Sequence, residues 1–481
     1  MQHIIGLDLG TTCVKALLFD ETGRILSAAS EDDELFTPHQ GWVEQSAEHW
    51  VTLSAKVIRT IITEAGIAFD AVAALSISSQ GITSVPVDQS FKPLRNAINW
   101  LDQRAVKEIE RVRSVRSDDE IYRITGKSPA LGYTLSAILW LRDHEPEIFS
   151  RTHKFLLPHD YLCACLCGIP ITDHTMAGGT MLYDVPNQCW SDELLGLFHI
   201  DRKLLPEIRW AGTPVGTLTD EASRIFGLPK TTLVITGGQD QKIAAHGARL
   251  QMGSATISLG TCAAMEFLFD HPPVHPTRGL AAFSYLQPGS WVLEACVSTA
   301  GAAIKWARDT LFPDLSYDGV NELAKQCKTS GGVFFYPYLQ GSGTPHNTAA
   351  CGVFTGLTLA TTKPELARAV FEGIAMEVLA NLRSAEDAGV NVGEICVFGG
   401  GSRSALLNQM LADVTQRVIR TFSTSEMGAF GAARLAAKAM GMKDFVLPAG
   451  ALWEPNAAQS ARYDEQYRIY QENLKAILGL K

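Results

Sequence analysis

The sequence predicts an α/β protein of two related lobes with a cleft between them, and three observations predict it. Its 481 residues are too many for one core and suit two large domains. A short phrase occurs twice: Asp8-Leu9-Gly10-Thr11-Thr12 runs into Leu18-Phe19-Asp20, and Ser258-Leu259-Gly260-Thr261-Cys262 runs into Leu268-Phe269-Asp270, at a constant offset (258 − 8 = 250). After each copy the pattern passes from hairpin strands to alternating helix and strand, the order expected of a mixed sheet flanked by helices.

Element by element, His3–Asp8, Val14–Asp20 and Ile25–Ser30 read as a three-stranded meander. Ser46 can cap a helix whose apolar face is Trp50, Leu53, Val57, Ile58, Ile61 and Ile62, ended by Gly66. Val72–Ser78 and Val85–Asp88 follow as strands. In the second half Leu233–Thr236 is a strand, Gly237-Gly238 a turn and Gln241–Leu250 a helix. Ala255–Leu259, Ala264–Asp270 and Trp291–Ala295 are strands, and a helix lies near Ala302–Thr310. Pro364-Glu365 opens a long helix carrying Leu366, Val370, Ile374, Val378 and Leu382 on one face. Ile395–Phe398 is a buried strand leading into Gly399-Gly400-Gly401, with Ser402 capping the next helix. The boundary is expected near residue 243, giving lobes 1–243 and 244–481 joined by a tight hinge, with a terminal amphipathic helix in a polar tail from Asp444.

Composition narrows the function classes. A hydrophobic content of 46% and a charged content of 19% describe an ordinary globular chain. The net charge of −10 argues against nucleic-acid or anionic-membrane partners, while leaving room for a local basic pocket for ATP. No apolar run approaches the roughly 18–20 residues that span a bilayer; Tyr161 to Ile171, the densest, is broken by Gly168 and Pro170. Met1 to Gly6 lacks a basic n-region, so a cytoplasmic location is expected. Ten cysteines show no zinc spacing and read as small buried thiols of a reducing compartment.

Three glycine-rich segments could carry chemistry. At the first, the backbone N–H groups of Gly10, Thr11 and Thr12 can donate to a β- or γ-phosphate, Lys15 stands behind them, and Asp8 can hold Mg²⁺ through water. A plain hairpin with an aspartate in its turn is the alternative, and no GxxxxGK[ST] loop surrounds it. At the second, Gly237-Gly238-Gln239-Asp240-Gln241 places Asp240 at a strand–turn–helix corner at the mouth of the cleft. A carboxylate there can take the proton of an alcohol as a γ-phosphoryl group leaves ATP; the alternative is a helix-capping aspartate. At the third, Gly399-Gly400-Gly401-Ser402, opening a helix with Asn408, leaves bare backbone for a flat ring such as adenine, or makes a simple turn. Between them Asn99-Trp100, Asp102, Arg104, Asp160, Asp173 and Thr180 offer carboxylates, amides and a Trp face of the kind that suits a polyol; the alternative for each taken singly is a surface or capping role.

Taken together these motifs resemble the FGGY family of carbohydrate kinases, within the actin/hexokinase/Hsp70 superfamily. The resemblance is carried by Gly352-Val353-Phe354-Thr355-Gly356-Leu357 with Glu365 to Glu372, by Gly41-Trp42-Val43-Glu44-Gln45, and by three segments most like the xylulokinase branch: His159-Asp160-Tyr161-Leu162, Ala177 to Met181 and Thr344-Pro345-His346-Asn347. It implies two ribonuclease-H-like lobes closing over ATP, Mg²⁺ and a sugar or polyol, with a homodimer common in the family. It implies Asp8 at the metal and Asp240 as catalytic base. It implies Gly260 and Thr261 at the second phosphate turn, Gly301 among the cofactor-binding positions, Gly400, Gly401 and Asn408 at the adenosine, and Asp102 and Arg104 in the segment that contacts sugar. Trp100 and the stretch Gln80, Gly81 and Ile82 fall among the substrate positions. Xylulokinases carry Met-His after Ser78-Ser79-Gln80 and glycerol kinases Arg-Glu, so Gly81-Ile82 removes polar contacts and leaves room. Ala137 stands where the family expects a lysine. The reaction expected is ATP-dependent phosphorylation of a ketopentose such as xylulose, or of a related ketose or polyol. A non-kinase ATP clamp of the same superfamily is the alternative.

Overall fold

The computed structural model describes residues 2–272 and 279–477; the outermost ends of the two expected lobes, Met1 and 478–481, lie outside them. Each half builds the same kind of sheet. In the N-terminal lobe β1 (His3–Leu9), β2 (Cys13–Phe19), β3 (Ile25–Asp32), β4 (Val72–Ser79), β5 (Pro214–Thr217) and β6 (Leu233–Gln239) form a six-stranded sheet in the order β5-β6-β4-β1-β2-β3. In the C-terminal lobe β7 (Ser254–Leu259), β8 (Ala263–Phe269), β9 (Ala281–Ser284), β10 (Trp291–Val297), β11 (Glu394–Phe398), β12 (Val418–Phe422) and β13 (Ala449–Trp453) form a seven-stranded sheet in the order β9-β10-β8-β7-β11-β12-β13. The doubled phrase is the antiparallel hairpin β1–β2, with Asp8 opposite Lys15, and its counterpart β7–β8, with Ser258 opposite Ala264. Each hairpin's first strand then takes a parallel neighbour, β4 beside β1 and β11 beside β7.

Helix α1 (Ala47–Ala65) follows the expectation: Ser46 accepts the His49 N–H, Gly66 ends it in the left-handed region (φ 66°), and Trp50, Val57, Ile58, Ile61 and Ile62 are buried. With α2 (Pro158–Cys167) it builds the apolar layer on one face of the first sheet. The strand β6 continues through Gly237-Gly238 to Gln239, so these glycines are not the expected turn. The reason is contact: a Cβ on Gly237 would lie 1.8 Å from Ile77 O, and one on Gly238 2.5 Å from Thr175 Oγ1. Helix α3 therefore starts at Asp240 and ends at Gly247 (Asp240–Gly247), and the expected boundary at 243 falls inside it.

In the C-terminal lobe α4 (Gly301–Leu311) and α6 (Ala405–Thr415) pack against the long α5 (Lys363–Asp387). Ser402 is not the cap of α6. Its hydroxyl donates to Gly399 O, residues Gly400–Arg403 make a 3₁₀ turn, and Ser404 accepts the Leu407 N–H. Helix α7 (Met427–Ala439) belongs to the C-terminal half in sequence but lies against β1, β4 and α3 of the first. It does so backbone to backbone, since a Cβ on Gly6 would lie 1.9 Å from Ala429 O and one on Gly431 2.0 Å from Ile243 O. The terminal helix α8 (Ala457–Ile477) docks on the C-terminal lobe, Tyr463 and Tyr470 donating to Glu372 and Glu377. No helix among the described residues is long and apolar enough to cross a membrane. All ten cysteines are free; Cys163 and Cys396 are buried as expected, whereas Cys189 and Cys351 are exposed.

Candidate active site

The corner between β6 and α3 is held from behind by buried polar groups. The Gly237 N–H donates to His159 Nε2 (3.2 Å), which needs a lone pair there, so the imidazole is neutral although Asp160, 3.1 Å from Nδ1, favours its charged form. Asp173 accepts from Thr175 N, Thr175 Oγ1 and Met176 N, and Thr175 Oγ1 in turn accepts the Gln239 N–H at 2.8 Å. Asp160 and Asp173 are fully buried, Asp173 capping a short helix, and the Thr180 hydroxyl donates to Ala177 O, so the capping alternative, not the polyol one, describes these three. Asp240 itself is half-buried, one oxygen accepting the Gln241 N–H at 2.8 Å. Loss of hydration, and then the charge of Asp8, push its carboxyl up to about 7. A carboxylate titrating near neutrality is matched to accept a hydroxyl proton.

Across the corner stands Asp8 at the end of β1. Its Oδ1 accepts the Ser78 hydroxyl (2.7 Å) while burial pushes its carboxyl above the usual range, against that bond and Lys15. The turn that follows closes by Gly10 N to Cys13 O at 2.9 Å. Thr11 is pinned from both ends, its carbonyl accepting Gln45 Nε2 and its hydroxyl accepting Trp100 Nε1, each at 2.9 Å, while Thr12 is exposed. Lys15 pairs with Glu426 (2.7 Å), which immediately precedes α7. Gly428 follows two residues later, and a Cβ there would fall 2.7 Å from the Asp8 carboxylate.

The second turn faces the same cleft from the other lobe, with Gly260 and Thr261 exposed. Gly260 O accepts Gly301 N, and Thr261 O accepts both Ala300 N and Ala302 N, all at 3.0 Å, so the turn is clamped to the first residues of α4. A Cβ on Gly301 would lie 2.4 Å from Gly260 O. In the third segment Gly401 presses on Leu259, whereas a Cβ on Gly400 would meet nothing within 4 Å, so the backbone there is open. Asn408 is buried, and its amide donates to Ser402 O (2.7 Å), bracing that loop from below.

The sequence-predicted sugar residues divide. Trp100 is 42% exposed and presents its ring beside Thr11. Gln80 is buried in an amide network, donating to Gln45 Oε1 (2.8 Å) and accepting from Asn99 (3.2 Å). Asp102 and Arg104 pair with each other at 2.8 Å, Asp102 also accepting the Val43 N–H and Arg104 also bonding Glu44 and lying 3.8 Å over the Trp42 ring. With the Arg104 side chain only 1% exposed, this cluster shapes the cleft wall from within. Ala137 is buried in the same core as Trp140, over which Arg104 stacks. Ile82 sits in the left-handed region (φ 70°), a conformation that costs a β-branched residue about 1–3 kcal/mol; Thr134 Oγ1, donating to its carbonyl at 2.7 Å, helps hold it there. The room expected at Gly81 is filled, because a Cβ there would lie 2.9 Å from Gln239 Cγ.

Sequence reasoning missed Ser78, Gln239, Glu426 and Gly428, whose roles arise from contacts between distant segments. It also missed a buried ion cluster beside Asp240: Lys242 pairs with Glu266 (3.0 Å) and Glu294, while Lys127 donates to Ala282 O (2.6 Å), and both amines lie 3.6 Å from the Phe283 ring. Among the described residues no three His, Cys, Asp or Glu side chains form a metal cage. A single carboxylate, Asp8, with only one oxygen committed to a side chain, suits an ion that keeps most of its water and phosphate ligands, as Mg²⁺ does. Two cavities, of about 450 Å³ beside His174 and Trp190 and about 590 Å³ beside Trp210 and Tyr285, contain none of these residues.

The chain is similar to known proteins over its whole length. Residues 3–247 match the family model of the FGGY carbohydrate kinases' N-terminal domain and residues 255–440 that of their C-terminal domain. A xylulose kinase of Lactococcus lactis is 31% identical over 497 aligned positions, covering 99% of this chain and 97% of its own length. Among solved structures, a ligand-bound xylulose kinase from Lactobacillus acidophilus superposes with a TM-score of 0.94 at 26% identity, covering 99% of each chain. A gluconate kinase from the same organism superposes with a TM-score of 0.93 at 27% identity, covering 99% of this chain and 98% of that one.

Proposed function

The chain belongs to the FGGY family of carbohydrate kinases, and from that premise we propose that it transfers the γ-phosphoryl group of ATP to a primary hydroxyl of a ketopentose, xylulose first among them. It is a carbohydrate kinase; the matches over the whole chain give no support to an ATP clamp without acceptor chemistry. Asp240 takes the acceptor's hydroxyl proton. The acceptor oxygen forms its bond to the γ-phosphorus as the bond from that phosphorus to the β–γ bridging oxygen breaks, and ADP leaves with the electron pair. The backbone donors of Gly10 to Thr12 and of the Gly260-Thr261 turn hold the phosphates, Lys15 adds a positive charge, and Gly400-Gly401 receive the adenine. Asp8 would hold Mg²⁺ through water, and the ion supplies charge that offsets the phosphate oxygens. Trp100 offers an apolar face to the sugar's C–H edges.

The observation that carries this reading is Asp240: a half-buried carboxylate at the first residue of α3, near enough to Asp8 that this charge, after burial, helps push its carboxyl up to about 7. A coupled ADP-release screen over ketoses, polyols and aldonates tests it. The expected result is a sugar-dependent rise strongest with a ketopentose. ATP consumption that no member of the panel stimulates would refute it.

A further inference from the structure

Gln239 ends β6 one residue before Asp240 and pairs in register with Ser79 of β4, so its side chain stands over the chain that continues into Gln80-Gly81-Ile82. These are the carboxyl ends of two parallel neighbouring strands, where α/β sheets bind their ligands. Gly81 is buried and has no side chain, yet no hole is left there. The Gln239 Cγ would lie 2.9 Å from a Cβ on Gly81, and its Cδ and Nε2 at 3.8 Å, so the glutamine stem occupies the volume that a residue at 81 would otherwise fill. The stem ends in a carboxamide whose Oε1 is buried and accepts no hydrogen bond among the described residues. A buried acceptor left unpaired is costly, and a glutamine's terminal torsion is soft, so either end of the amide can turn to a ligand.

We propose that Gln239 is a specificity-determining residue: its carboxamide, growing from the base's strand, replaces the side chain absent at 81 and bonds a hydroxyl of the acceptor sugar next to the one that is phosphorylated. An acceptor lacking that hydroxyl leaves the amide unpaired and is rejected, which is how a polar site discriminates more sharply than an apolar one. This rests on Asp240 being the base. The strain at Ile82 and the filled space at Gly81 then belong to one arrangement, in which the wall facing the sugar is apolar at 82 and amide-bearing from 239.

The test uses the full-length protein, the best acceptor of the panel and its monodeoxy analogues. Q239A should raise the acceptor KM and lower acceptor kcat/KM by roughly three- to ten-fold, the loss of one uncharged hydrogen bond. KM for ATP should stay unchanged, and discrimination against one particular deoxy analogue should fall by a similar factor. G81A should impair the enzyme because its Cβ meets Gln239 Cγ, and adding Q239A should relieve that collision, a non-additive pair. If G81A does not fold, Q239A and the near-isosteric Q239E decide. Q239A within two-fold of wild type in both acceptor kcat/KM and discrimination overturns the inference. If Asp240→Asn is inactive while Q239A is unaffected, this inference alone falls. If Asp240→Asn turns over normally, the reading it rests on falls as well.

Discussion

Replacing Asp240 by Asn removes a proton acceptor while keeping shape and the hydrogen bond from Gln241 N, and the structure predicts two opposite consequences. Catalysis should fall by about 10²–10⁴-fold in kcat, the usual contribution of a positioned base, with ATP binding close to wild type. Stability should rise. Burial, and then Asp8, disfavour the native carboxyl's charge and push it up to about 7, from 3.8 for a free aspartate. The native state therefore holds a proton that the unfolded state has already lost between pH 4 and 7, and wild-type stability declines through that window. The displacement corresponds to at most about 4 kcal/mol, and for a carboxylate that is only half-buried about 2 kcal/mol is a better figure. Asn carries no such penalty. Thermal melts of the two proteins should coincide near pH 4, diverge as pH rises to 7, and stay apart above it with the variant more stable. ADP release with the best acceptor and nucleotide titration complete the assay. Turnover near wild type would sink the role of Asp240, and a stability difference that did not grow with pH would sink the electrostatic account.

In the nucleotide- and metal-free protein, Asp8→Asn, which removes a charge that raises Asp240, should narrow the fall in stability between pH 4 and 7, read by thermal melts. Gly301→Ala drives a Cβ to within 2.4 Å of Gly260 O, so steady-state kinetics should show KM for ATP rising roughly ten-fold with the acceptor KM little changed. Arg104→Ala leaves Asp102 buried without its cation, while Glu44 keeps its pairing with Arg95. It should cost about 3–5 kcal/mol in denaturant melts while the folded fraction keeps its acceptor KM, as befits a wall residue.

The parts of the site that were legible in sequence are those whose chemistry is local. The hairpins that carry Asp8 with Gly10 to Thr12 and Gly260-Thr261 lie where the doubled phrase put them, and the 250-residue offset reappears in β2 and β8, Cys13–Phe19 and Ala263–Phe269; Asp240 opens a helix, but not after the Gly-Gly turn its phrase suggested. Ser46 and Gly66 bound their helix because capping is decided within a few residues. What could not be read was set by segments far apart in the chain. Gly237-Gly238 looks like a turn until Ile77 O and Thr175 are known to press on it, and Gly81 looks like a vacancy until Gln239 arrives from 158 positions away. Asp102, Asp160 and Asp173 have a polyol-binding composition, but their bonds are all to the protein's own amides and side chains, which only the fold reveals.

The docking of α7 against the first sheet has a consequence for building hybrids of this enzyme. The two family models divide the chain between residues 247 and 255, but the contacts do not: Gly6 and Gly431 meet opposing backbone with no side chain between, and Gly428 abuts the carboxylate of Asp8. A lobe exchange cut at the sequence boundary would seat a foreign α7 on this sheet, and with no side chain to rearrange, any mismatch in helix position would be passed straight to Asp8. A workable exchange keeps residues 427–439 with the N-terminal sheet, so the unit of inheritance for the catalytic half is discontinuous in the gene.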